Sequence, residues 1–245
     1  MKNPIVELVE PEMAHFNQLW SEDRNRPPDR RIFPDKDNLY PIPFFGDIRR
    51  AEVVTLALNP SHTEFTPGRW PANGGPEALT PDGLTNRLLS YFHSRKNNPN
   101  DWFEACEQGL LALGCSYKRN AAHIDVHPLP TKRGRERNEA ETELLAQTIR
   151  EHCANHIISV LAVLDRLKLI VVVDYSVPLE GGGHVTTFDY VKEHLSAISG
   201  LVDSTGVEPP VVRGGDQNKI ASHLFGHRIR LQSFLLNAPS LIFSY

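Results

Sequence analysis

The run Glu52–Leu58, EVVTLAL, which stops at Asn59-Pro60-Ser61, decides how the chain is read. It is β-branched and apolar on both faces, the pattern of a strand covered on both sides within a parallel sheet. Further strands are expected at Ala121–Val126, Leu169–Val173 and Ser233–Leu236. Leucine and aromatic residues recurring at three- and four-residue steps predict helices around Met13–Trp20, Asp82–Phe92 and Asp101–Leu113. Two more are expected, over Glu139–Leu167 with a break near Asn155 and around Phe188–Ser199. Strands alternating with helices predict an α/β fold, a three-layer α/β/α sandwich with a mostly parallel central sheet. In such sheets ligands sit outside the carboxyl ends of the strands. Three ends carry polar residues in Pro-containing turns: Asn59-Pro60-Ser61, Asp125-Val126-His127-Pro128 and Asn237-Ala238-Pro239-Ser240. Their convergence predicts the site.

Around these elements the chain reads as one domain, residues 1–245, with an irregular Pro/Arg/Asp-rich arm at about 21–43 that wraps the surface. Its 245 residues, 40% hydrophobic and 23% charged, suit a globular domain with a sizeable core. A net charge of −4 leaves no global positive field, so any phosphate-binding surface must be a local patch. Cys106, Cys115 and Cys153 lack CxxC spacing, are too few for a four-thiolate site and read as core thiols in a reducing compartment. No apolar run approaches the roughly 20 residues that span a bilayer, and the start lacks the order of a secretory signal. A cytoplasmic protein without membrane contact is expected.

Asn59 stands where the first strand gives out, and Pro60 holds it extended at the rim, where a neutral amide orients a water or pairs with a base edge. The alternative is a plain Asn-Pro turn. His123, Asp125 and His127 alternate with period two and so share a face. That spacing suits zinc or iron, or equally a polar edge beside a cleft. The basic run Lys132, Arg133, Arg135 and Arg137 follows directly and reads either as a phosphate contact or as a solvated loop. Gly181-Gly182-Gly183 lacks the Lys-Ser/Thr of a phosphate-binding loop and reads as a flexible connection. No GxSxG elbow or cysteine nucleophile signature supports covalent acyl chemistry.

The order of these pieces resembles the uracil-DNA glycosylase superfamily. The resemblance rests on FFGDIRRAEVVTLALNPSHTEF, on NAAHIDVHPLPTKRGRERNEAE leading to LKLIVVV, and on SFLLNAPSL, together spanning about residues 44–241. It implies that Asn59 orients the water that attacks the sugar C1′, that Pro60 and Ser61 lie beside the base, and that Phe65 stacks on it. Ser61, being small, would relax discrimination against a 5-methyl group. It also implies that Asp125 and His127 stand at the base edge, where the family carries Asn; an ionised carboxylate there accepts hydrogen bonds and cannot donate to O4. In the last motif Pro239 and Ser240 match, with Ser240 on phosphate beside Lys132, Arg133 and Arg135. Ala238 replaces the usual His or Asn, so Asn237 is the candidate for stabilising the departing base anion. A missing contact there lowers catalysis by about 3 kcal/mol.

The function expected from the resemblance is base excision in DNA repair: a monofunctional DNA glycosylase for uracil or another deaminated or damaged base, without metal or redox cofactor, whose partner is DNA, single-stranded DNA included. Two alternatives stand beside it. One is a catalytically weak relative that binds a nucleobase, nucleotide or single-stranded nucleic acid. The other is a metal-dependent hydrolase built on His123, Asp125 and His127.

Overall fold

A computed structural model describes residues 3–33, 39–60, 62–65, 80–93, 101–112, 114–131, 138–167, 169–173, 176–179, 181–187, 189–190, 193 and 231–235. It is a mixed helix and strand fold built on a small sheet. Strands β1 (Val53–Ala57), β2 (Ala121–Asp125) and β3 (Leu169–Val173) are parallel, with β1 between the other two. Every residue of β1 and β2 is buried, which is why both read as solid apolar runs. A fourth strand, designated β6 (Leu231–Leu235), joins β3 antiparallel, pairing Leu235 with Leu169. Its carboxyl end therefore lies where the parallel strands begin, at the opposite edge of the sheet from Asn59. The structure thus brings together two of the three expected strand ends. An apolar run carries no sign of its direction, so its hydropathy cannot distinguish the two arrangements.

The first helix, α1 (Pro4–Arg24), is far longer than the Met13–Trp20 expected. The Asn3 side chain accepts from the Ile5 amide at 3.1 Å, and Pro4 occupies the first turn, where its missing N–H costs nothing. Ile5, Leu8, Val9, Met13 and Phe16 form its buried stripe at three- and four-residue steps. The helix α2 (Pro81–Leu89) stops short of Tyr91 and Phe92, which turn into the core, and α3 (Asp101–Ala112) lays Phe103 against both rings. The Asn138–Glu141 capping box starts α4 (Glu139–Thr148). A π-helical turn at Ile149–Cys153, in place of the break expected near Asn155, leads into α5 (Ala154–Ala162), which packs on β2. The Gly181–Gly183 segment closes a hairpin of β4 (Ser176–Pro178) with β5 (His184–Thr186), where a flexible connection was expected. The expected helix around Phe188–Ser199 lies largely outside the described residues.

The arm differs most from expectation. Residues 21–24 complete α1, and Ile32, Phe33, Leu39, Tyr40 and Ile42 are buried in the core. Their spacing shows no period because each inserts from irregular chain, tied down locally. Asp23 accepts from the Ile32 amide at 2.8 Å, and Ile42 N–H donates to the Pro128 carbonyl at 2.7 Å. Phe45 and His123 then exchange both backbone hydrogen bonds, at 2.7 and 2.9 Å, along the open side of β2. All three cysteines are buried thiols. Among the described residues no helix is long and apolar enough to cross a membrane.

Gly46 follows that bridge with φ +94°, and a Cβ there would stand 2.8 Å from Phe92 Cδ2. Phe92 cannot give way easily, because it is stacked on Tyr117 with ring centroids 4.3 Å apart. Gly46→Ala is expected to lower stability by about 1–3 kcal/mol, read from the urea unfolding midpoint at unchanged m.

Candidate functional site

The pairing of β1 with β2 runs on past both strands. Val126 N–H donates to the Ala57 carbonyl and His127 N–H to the Leu58 carbonyl, each at 2.8 Å. This continuation holds Asn59 and the 126–131 segment at one rim. There Asn59 Nδ2 donates to Thr131 Oγ1 and to the Pro60 carbonyl, both at 3.1 Å. A carbonyl only accepts, so the amide nitrogen must face Pro60 and the orientation of the side chain is fixed. Oδ1 then points away from both contacts and accepts no hydrogen bond among the described residues. Asn59 is half-buried, while Pro60 and Thr131 are buried. Phe65 ends a 3-10 turn, His62–Phe65, and lies edge-on to Tyr40 of the arm at 4.9 Å and 68°. The Glu64 carboxylate beside it is buried and accepts from the Tyr91 hydroxyl.

Below the rim a buried polar chain runs down one face of the sheet. Tyr117 and Thr55 share a hydrogen bond of 2.6 Å between hydroxyls, Thr55 Oγ1 lies 2.8 Å from His123 Nδ1, and His123 Nε2 lies 3.2 Å from Asp125 Oδ1. Trp102, Phe103 and Phe45 surround the His123 ring at 4.8, 5.3 and 5.5 Å. Asp125 is only 2% exposed, and its other oxygen, Oδ2, has no hydrogen-bond partner among the described residues.

His127 behaves differently from His123. Its Nδ1 donates to the Leu129 carbonyl at 3.0 Å, so the neutral ring carries its lone pair on Nε2, which is buried without a partner among the described residues. Burial holds its pKa down to about 3, with the nearby charges of His152, His156 and His15 adding to the shift. Those histidines surround Glu12 of α1. Its two oxygens lie 2.8 Å from His152 Nε2, on the π-helical turn, and 2.9 Å from His156 Nδ1, while His15 stacks on His152 at 3.9 Å. Burial works against the Glu12 carboxylate, but the two imidazole contacts prevail and hold its pKa well below the usual carboxylate range.

Of the residues expected at the site, Asn59, Pro60, Asp125 and His127 therefore gather at the ends of β1 and β2, with Phe65 in the turn that follows. Ser61, Lys132, Arg133, Arg135 and Arg137 lie outside the described residues, as do Asn237, Ala238 and Ser240. The last three follow β6, whose end is at the far edge. No group of three His, Cys, Asp or Glu side chains among the described residues could hold a metal ion, so His123, Asp125 and His127 do not form the metal site weighed above. Thr131, Thr55 and Glu64 escaped sequence reasoning. The Glu12/His15 and His152/His156 pairs did leave a signal, since three- and four-residue spacing puts each pair on one helix face. No protein-family model, curated protein or solved structure matches this chain.

Because folded His127 resists protonation and an unfolded histidine does not, the unfolded chain binds the extra proton between about pH 6.5 and 3. Its stability contribution is full above that window and is lost as pH falls through it, by up to about 1.4 kcal/mol per pH unit. His127→Gln, which keeps a donor for the Leu129 carbonyl, is expected to flatten this acid limb in urea titrations run from pH 7 to pH 4.

Proposed function

We propose that the protein is a DNA base glycosylase on a three-layer α/β/α domain of the uracil-DNA glycosylase type, acting on uracil or another deaminated or damaged base. The observation that carries this reading is the Asn59 amide. Its nitrogen is held by Thr131 and Pro60, and Oδ1 is left to accept from a water at the carboxyl end of a parallel strand.

An amide is too weak a base to generate hydroxide, so it serves by orientation. With one water proton on Asn59 Oδ1, the oxygen lone pair is directed at C1′. The bond from C1′ to the base breaks ahead of attack and the base leaves with the electron pair. Water adds to the sugar cation, and its surplus proton goes to solvent or to the departed base. Such a path needs no metal or redox cofactor. Phe65, the aromatic that would stack on an extruded base, is 1% exposed and packed edge-on to Tyr40, so a base reaches its ring only after the surrounding chain opens. The basic run begins one residue beyond Thr131, so Lys132, Arg133 and Arg135 follow directly on the residue that holds Asn59. DNA phosphates, of single strands included, are the partner this sequence order favours.

The direction of β6 favours a second reading. An antiparallel β6 ends at Leu235 opposite Leu169, at the start of the parallel strands, and a site without a contact to the departing base would bind a nucleobase or nucleotide with little catalysis.

Labelled single-stranded and mispaired oligonucleotides carrying uracil, hypoxanthine, xanthine or an alkylated base separate the two. Glycosylase activity leaves abasic sites that alkali cleaves, and Asn59→Ala is expected to reduce them by about a hundredfold or more. Folded wild-type protein that leaves none on any substrate overturns the glycosylase reading and turns the test to ligand binding.

A further inference from the structure

Residues 24–31 of the arm, RNRPPDRR, carry four arginines and one aspartate in a chain whose net charge is −4. Two of the four are spent locally. Arg24 lies over the Trp20 ring at 3.8 Å, and Arg26 pairs with Asp23 at 3.6 Å and with Glu22 at 3.9 Å. Arg30 and Arg31 belong to no ion pair among the described residues. Arg31 is half-buried, and its Nε and Nη2 donate to the Arg26 and Arg24 carbonyls, both at 3.1 Å. Those contacts fix the guanidinium without neutralising it, because a carbonyl carries no net charge. Arg30 is exposed at the end of the 3-10 turn Pro28–Arg30, which Pro27 and Pro28 stiffen.

This turn is tied to the chain where the basic run ends. Asn138, which follows Lys132–Arg137 in sequence, donates from Nδ2 to the Asp29 carbonyl, and the turn packs on α4. At the other end of the run Thr131 holds the Asn59 amide. Thr131 and Asn138 are seven positions apart, an extended length of at most about 25 Å, which about seven stacked nucleotides of one strand cover. We propose that the arm is a second contact for the DNA backbone, in which Arg30 and Arg31 hold phosphates of the strand that flanks the base at Asn59, an assignment that rests on the nucleic-acid reading of that rim. The planar fork of a guanidinium matches two phosphate oxygens, and Arg31, already oriented, has little side-chain freedom to lose on binding. Phosphates repeat identically along a strand, so these contacts add affinity without reading sequence.

The test is fluorescence anisotropy of the full chain with a labelled oligothymidylate of about 20 nucleotides, over about 50 to 200 mM salt. Arg30→Gln and Arg31→Gln are each expected to weaken binding and to make the plot of log K against log salt shallower by about 0.7, the value of one phosphate contact on a single strand. Arg30 makes no contact that folding needs, so its variant is expected to keep the wild-type urea midpoint. A wild-type slope in either variant, a loss of affinity without a change of slope, or no binding of the oligonucleotide by folded wild-type protein overturns the proposal. So does full displacement of the oligonucleotide by a glutamate polymer at matched charge, which would make the arm a site for an acidic protein segment. Arginine-dependent slopes without excision of any base would keep the arm contact and sink the glycosylase. Asn59-dependent excision with wild-type slopes in both variants would do the reverse.

Discussion

The site depends on two backbone hydrogen bonds, from Val126 to Ala57 and from His127 to Leu58, that carry the β1–β2 pairing beyond the strands themselves. A parallel pair normally splays where its strands end, because each chain must turn toward its own crossover. Here the two chains stay in register for two residues more, and within that distance the structure places Asn59, Asp125 and His127. Thr131 reaches the Asn59 amide across 72 positions of sequence only because that register holds. The geometry of the rim is a consequence of sheet pairing more than of any loop.

Two buried polar systems surround this rim and differ in kind. The Tyr117–Thr55–His123–Asp125 chain is linear and ends at an oxygen that has no hydrogen-bond partner among the described residues. The Glu12 cluster is branched: one carboxylate engages two imidazoles from the π-helical turn and α5, and it fixes α1 against them. A π-helical turn widens the helix locally and re-aims the side chains it carries. His152 reaches Glu12 from that turn, while His156 reaches it from the first turn of α5.

Hydropathy made the parallel strands legible, since β1 and β2 are buried runs and β3 an apolar one, and α3 is placed within a residue of its expected end. The same signal understated α1, which runs from its Asn3 cap through Pro11 to Arg24. It carried no information about the direction of β6. It also misplaced the arm, because Ile32, Phe33, Leu39, Tyr40 and Ile42 are buried singly, and periodicity detects only faces. At the site, Asn59 and Asp125 stood out because each ends a strand. Thr131 and Thr55 did not, since a threonine becomes informative only when its partner is known, and both partners lie far away in sequence.

The short pairing of Phe45 with His123 has a consequence for the protein's life in a crowded solution. Next to β1, β2 is the outermost strand of the sheet, and its far side would otherwise present unpaired N–H and C=O groups to any passing chain. The segment that buries Ile42, Phe44 and Phe45 occupies that side. It works as a guard against self-association, so a lesion that loosens residues 42–45 would betray itself first as aggregation, with chains adding edge to edge, before the core had melted.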